Sequence, residues 1–419
     1  MEARRRRWTL GLSLALGAAL VAGCGAQPPG SGQDGNTIKI GVLTGLTGDY
    51  GPWGEAGLEA TRIAADEINE AGGIAGRKVS LVVADNGSSV EGSVSGWKKL
   101  VELDKVVAVL GMESDGAVAL LDESAASRVP VMCPACGTPT LDTKGGDYVW
   151  RLTSGDSDLG VALAQVALKK TDRIAALTQR GLEATESISN VFIKAFERGG
   201  GDVISDTRFL GDANSFSGDL ETAFADSDTV LVSSGLEPGT RLLREWERRG
   251  HEGTLFMIPE LITDKTLKIG GGKLQGHAFG VSPAYKSDSP AYQTFAKKYK
   301  ARVDKEPSPA LYEPNYYDQL IITALAAVAA DRAGSEVTGQ EIRNHLAQVA
   351  NAPGVAVHGF MEGLAALKAG KDVDYVGASG PVDFNDHGGV VSIFSELVAS
   401  PGGWKQGQFI ELNPALRDE

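Results

Sequence analysis

The residues whose types and spacing come nearest to chemistry are Cys133 and Cys136, in the run Cys133-Pro134-Ala135-Cys136. This is the Cys-x-x-Cys spacing of thiol–disulfide exchange, where a thiolate stabilised by its surroundings attacks a disulfide sulfur. Three readings stand, in this order: a structural disulfide, two packed thiols, a redox centre. Other catalytic signatures each fail at a definable position. Gly270-Gly271-Gly272-Lys273 is followed by Leu274, which has no hydroxyl for a magnesium ion. Gly45, Gly48 and Gly51 recur every three residues and miss the dinucleotide-binding pattern. The histidines at 251, 277, 345, 358 and 387 never pair at metal-ligand spacing. Gly155-Asp156-Ser157 runs on into Asp158-Leu159 and is no nucleophile elbow. The expectation is a protein that is not an enzyme, with no metal and no cofactor.

The third cysteine belongs to a different chemistry. Arg4 to Arg7 form a basic start, Thr9 to Ala22 an apolar stretch shorter than the roughly 20 residues a permanent span needs, and Val21-Ala22-Gly23-Cys24 a small-residue cleavage site. That last run resembles the bacterial lipobox, whose cysteine thiol receives a diacylglyceryl group before cleavage. Residues 1–23 then form a lipoprotein signal peptide, and 24–36 the lipidated Cys24 with a flexible tether rich in Gly, Pro, Ser and Gln. Palmitate-type acyl chains, at roughly 0.8 kcal/mol per buried methylene, anchor a protein stably when two are present. The export route stays open between the general and the twin-arginine pathways. Outside the cell membrane the compartment is oxidising, which favours the disulfide reading of Cys133 and Cys136.

The chain of 419 residues is 42% hydrophobic and 22% charged, ordinary for soluble globular protein and long enough for two domains. Its formal charge is −14, and about −17 once residues 1–23 and their four arginines are removed. An acidic chain without a basic stripe excludes nucleic acid and an electrostatic membrane-surface role.

The elements that must position any site alternate in kind. Ile38–Thr44, Val79–Ala84, Val106–Leu110 and Val129–Met132 read as strands, and Ala56, Ala60, Ile63, Ala64 and Ile68 as one helix face. This is βαβ punctuation, hence a parallel sheet covered by helices. The pattern restarts with strands Ile174–Leu177, Val230–Val232 and Leu255–Ile258, separated by helical Ala184–Arg198 and Gly239–Arg249. Beyond Gly280 helices dominate, in Tyr316–Asp331 and Thr338–Val349, before Val391–Leu397 and Gln408–Leu412 return to strand character. The two α/β lobes lack a Pro-rich linker, so ligand is expected in the cleft between them, at the carboxyl ends of strands.

Several segments together resemble the Leu/Ile/Val-binding family of solute-binding proteins that serve ABC importers. They are Ile38–Leu43 followed by Thr47-Gly48; Asp66-Glu67-Ile68-Asn69 with Gly72-Gly73-Ile74-Ala75-Gly76; Asp85-Asn86; Pro134-Ala135 with Pro139; Arg151 before Asp156 and Gly160; and Tyr317-Asp318. The resemblance implies an α/β fold of two flavodoxin-like lobes with parallel sheets joined by a three-segment hinge, a type I periplasmic binding protein. Lobe 1 is expected at 37–153 plus 281–376, and lobe 2 at 154–280 plus 377–412. It also implies a monomer that closes on an amino acid or similar small polar solute and delivers it to a permease; the alternative is an extracytoplasmic sensor using the same clamp.

Residue by residue, the resemblance places Trp53 as the aromatic cover, Ser114 or Asp115 in a hydroxyl loop, and Ala135, Cys136 and Gly137 in the next loop. Glu260 falls at the acid that takes the ligand's ammonium, and Asp156 and Asp318 read as a cap and a hinge support. Departures from the family pattern fall at Gly137, where a hydroxyl side chain is common, at Glu183-Ala184, and at Gly235. They imply a pocket of different shape, so leucine, isoleucine and valine are not assigned.

Overall fold

The structure is a computed structural model and describes residues 36–417. The expected signal peptide and Cys24 lie outside the described residues. Strands β1 (Thr37–Thr44), β2 (Lys78–Asp85), β3 (Val109–Leu110), β4 (Val131–Cys133) and β5 (Val149–Arg151) form one sheet, all parallel, in the order β2-β1-β3-β4-β5. Its strands carry apolar residues on both faces because helices cover both, as in parallel sheets generally. Ala60, Ile63, Ala64 and Ile68 of the helix Gly51–Glu70 are buried as their spacing predicts, while Ala56 is half-buried. Gly72 and Gly73 then take positive φ, turning the chain out of the helix toward β2.

The second sheet holds β6 (Arg173–Arg180), β7 (Asp202–Leu210), β8 (Thr229–Ser233), β9 (Thr254–Met257) and β10 (Ala278–Pro283) in the order β7-β6-β8-β9-β10, again parallel. It repeats the strand order of the first sheet. A small sheet of β11 (Val355–Val357), β12 (Val373–Gly377) and β13 (Gly380–Pro381) follows β10 in sequence. The chain then returns to extend the second sheet with antiparallel β14 (Phe394–Ser400) and β15 (Gly403–Ile410). Each sheet thus reverses its strand order once, between β1 and β3 and between β6 and β8. These are the points where α/β sheets open a crevice for ligand.

Cores fall on the two sheets separately, and they locate the crossings. Phe295, Tyr316, Tyr375, Phe384 and Val390 pack with Ile38 and Ile40, whereas Ile174, Phe256, Val281 and Phe394 share another core. The chain therefore crosses after Arg151, after Pro283 and between Val390 and Phe394. The second and third crossings come later than the expected breaks at 280/281 and 376/377. The reason is that β10 must finish its ladder with β14, and that Ala378, Val382 and Phe384 complete the first core. The expected strand at Val391–Leu397 begins only at Phe394, because residues 391–393 belong to the third crossing; Val391 is 76% exposed. First and third crossings are tied to each other by Ser154 N–H donating to Ser392 Oγ at 3.0 Å and by Ser392 N–H donating to Ser154 Oγ.

Candidate functional site

Loops at the carboxyl ends of the two sheets face one another and enclose a cavity of about 40 Å³. The turn after β1 and the helix that follows supply Tyr50 and Trp53, the turn after β3 Glu113 and Ser114, and the turn after β4 Ala135 and Gly137. Thr153 and Ser154 follow β5. The facing lobe supplies Asp156, Leu159, Ala184, Ile188, Pro259 and Glu260, while Tyr312 and Tyr316 come from the start of the helix Glu313–Arg332.

Of the residues expected at the site, Trp53, Ser114, Ala135, Gly137 and Glu260 line this cavity, and Asp115 and Cys136 do not. Asp115 turns instead toward the other lobe, where its Oδ1 accepts from Glu183 N–H at 3.3 Å. Cys136 is fully buried behind its loop and is joined to Cys133 as a disulfide. The pair lies at the base of the loop that presents Ala135 and Gly137. Asp318 accepts from Tyr375 OH at 2.6 Å and from the backbone N–H groups of Ala378 and Ser379 at 3.1 and 2.7 Å, which holds the turn after β12 inside the first lobe.

The side chains are held in different ways. Trp53 is 4% exposed and its indole N–H donates to Ala310 O at 3.1 Å, so the ring is pinned to the segment before Tyr312. Tyr312 sits at φ 60°, a left-handed conformation that costs a non-glycine residue energy and that turns the chain sharply into the helix behind it. Ser114 opens a short helix without capping it; its Oγ accepts from Thr138 N–H at 3.4 Å and joins two loops. Asp156 likewise does not cap. It is the first residue of the helix Asp156–Leu168, whose cap position is Gly155, and its Oδ2 accepts from Ser187 Oγ.

Among the described residues, three carboxyl groups reach the cavity wall and no Lys, Arg or His does. Glu113 is consumed by the scaffold: Oε1 accepts from Thr44 Oγ1 at 2.8 Å and Gly45 N–H at 2.7 Å, and Oε2 from Asn86 Nδ2 at 2.7 Å. Burial pushes its carboxyl up, opposed by those donors. Burial also raises Asp156 to about 7, against the pull of Ser187 and Arg151. Glu260 rises to about 8, first through burial and then through the nearby carboxyl groups of Asp156, Asp49 and Asp115. Its Oε2 is shielded from solvent and accepts no hydrogen bond from the protein. A buried, unpaired acceptor costs roughly 1–3 kcal/mol, more when charged, and is the kind of atom a ligand's donor relieves.

Residues 37–392 match the periplasmic binding protein family. The chain belongs to that family. It is a solute-binding protein of the type that serves ABC transporters, not an enzyme, and the family works outside the cytoplasm. Among its relatives is the Leu/Ile/Val-binding protein BraC3 of Rhizobium johnstonii, 26% identical over 378 residues, 89% of this chain and 93% of that one. Among solved structures, the branched-chain amino acid transporter substrate-binding protein LivJ from Streptococcus pneumoniae, in complex with isoleucine, superposes with a TM-score of 0.74 at 20% identity, over 89% of this chain and 99% of that one. A solute-binding protein of an ABC transporter from R. palustris, in complex with benzoate, gives 0.72 at 19% identity, over 89% and 96%.

Hydrogen bonds join the two lobes across the cleft of this binding protein. Asp49 Oδ1 accepts from Glu237 N–H at 2.7 Å, Asp115 Oδ1 from Glu183 N–H, and Thr138 Oγ1 donates to Glu183 Oε1 at 2.8 Å, each across the cleft. Gly235, one of the departures in sequence, permits the first of these: a β-carbon there would stand 2.9 Å from the Asp49 carboxylate. Glu113, Tyr312 and Tyr316 were not singled out from the sequence of this binding protein, and Asp156 was read there as a cap, whereas all four line the cavity. Asp156 and Tyr316 were legible as motif neighbours, but nothing in the sequence shows that their side chains point into the cleft.

Proposed function

We propose that this protein is an extracytoplasmic lipoprotein, anchored through Cys24, that captures an amino acid or a similar small polar solute in the interlobe cleft and presents the closed clamp to an ABC permease as a monomer. The observation that carries this reading is the enclosed cavity between two switch-point crevices, with the shielded, unpaired Oε2 of Glu260 on one lobe and Trp53 and Ser114 on the other. A carboxylate in that position suits an ammonium group, and aromatic walls keep water from competing for it. Hinge closure then couples binding to a shape that a permease can recognise. Relatives named for leucine, isoleucine and valine support a solute of amino-acid size.

The test is thermal unfolding of the purified chain against a panel of amino acids, amides, aromatic acids and amines. A solute at about 100 times its dissociation constant adds roughly 2.7 kcal/mol of stability and raises the melting temperature visibly. Absence of any shift across the panel overturns the capture reading. The anchor is tested separately: Cys24→Ala is expected to release the protein from the membrane fraction into the soluble one, and retention would overturn it.

A further inference from the structure

The charge balance of the cavity is lopsided. Glu260 and Asp156, both of the second lobe, present carboxyl groups to it, Tyr50, Trp53, Tyr312 and Tyr316 wall it, and among the described residues no cationic side chain lines it. The nearest buried guanidinium, Arg151, is turned away: it pairs with Asp142 and donates to Thr138 O. The cleft's helix ends, whose positive fields otherwise favour a ligand carboxylate, already carry acids of the chain. Asp156 opens the helix Asp156–Leu168, Glu183 the helix Glu183–Arg198, and Asp49 bonds the first turn of the helix Leu236–Arg248. Gly137 completes the pattern, since a side chain there would collide with the Asp156 carboxylate and push it from the cavity wall.

We infer that the captured solute carries net positive charge, a basic amino acid or a small diamine, with Asp156 as a second cation partner beside Glu260. The inference rests on the cleft being the capture site. A cation there replaces the protons that the two buried acids otherwise keep, relieves the unpaired Oε2 of Glu260, and gains from the aromatic faces. Asp156 is faced by Ser187, Arg151, Glu183 and Asp142, and Glu260 by Asp156, Asp49 and Asp115. The surroundings thus hold one paired cation against several acids.

The experiment is isothermal calorimetry on the purified chain with matched solutes: L-ornithine against L-norvaline, and putrescine and benzoate as the extremes. The expected result is at least tenfold tighter binding of L-ornithine or putrescine than of L-norvaline, no benzoate binding, and proton release on binding near pH 7 read from buffers of different ionisation enthalpy. Asp156→Asn is expected to weaken the cation at least tenfold and to reduce the proton release. If L-norvaline or benzoate binds as well as the cations, or if Asp156→Asn leaves their affinity unchanged, the charge inference falls while the capture reading stands. If no solute of any class binds, both fall.

Discussion

The Asp156 carboxylate stands where a side chain on Gly137 would have to be: a β-carbon built on Gly137 lies 1.7 Å from Asp156 Oδ1. The two residues are also joined by backbone, Asp156 N–H donating to Gly137 O. A glycine on one loop and an acid on the next helix therefore form a single feature of the cavity wall. Gly137→Ala is expected to cost about 1–3 kcal/mol, the usual range for overpacking. Asp156→Gly should make the same substitution nearly neutral. A double-mutant cycle by thermal unfolding reads the coupling, and additive effects would show that the two do not compete for space.

Glu260→Gln should stabilise the ligand-free protein in a pH-dependent way. The carboxyl is raised to about 8 in the folded state, so between about 4.5 and 8 the folded chain binds a proton that the unfolded chain has released. Stability of the parent therefore falls as pH rises through that window, and the variant escapes the fall. The difference should vanish near pH 4.5 and grow to on the order of 2 kcal/mol above pH 7. Denaturant melts at pH 5 and pH 7.5 measure it; equal shifts at both would refute the assignment.

Glu113→Ala should destabilise without regard to ligand. Removing the carboxylate strands Thr44 Oγ1 and Gly45 N–H in the interior and leaves Asn86 Nδ2 only Ser93 Oγ, at the ends of β1, β2 and β3. The expected loss is about 2–4 kcal/mol, seen as a lowered melting temperature in apo and ligand-saturated protein alike.

Asp49→Ala removes a hydrogen bond that spans the cleft between the lobes. One such bond is worth about 1 kcal/mol, so solute affinity should fall about fivefold through a shift toward the open form. The isolated melting temperature should change little. Small-angle scattering of the ligand-free variant should show the larger radius of an open clamp.

Much of the architecture was legible in the chain because burial on both faces of a parallel sheet demands continuous apolar runs, and Ile38–Thr44, Ile174–Leu177 and Val230–Val232 are such runs. Short or mixed strands escaped: β5 spans three residues, and β7 keeps one buried position, Phe209, among partly exposed ones. The lobe boundaries came from the resemblance, since local pattern cannot tell which core an apolar residue such as Val382 or Val390 will join.

The sequence by itself determined the alternation of strands and helices, the two sheets that follow from it, and the loops that bear Trp53, Ser114, Gly137 and Glu260. The elements depend on periodicity and on turn residues a few positions apart, whereas Trp53, Ser114, Gly137 and Glu260 were placed by the resemblance to the family. Only the tertiary structure decided that Asp115 bonds across the cleft rather than facing the cavity, that Asp156 enters the space left by Gly137, and that Tyr312 and Tyr316 close the wall. Those placements join segments far apart in sequence, and the direction of a side chain there is set by what the opposite lobe leaves open.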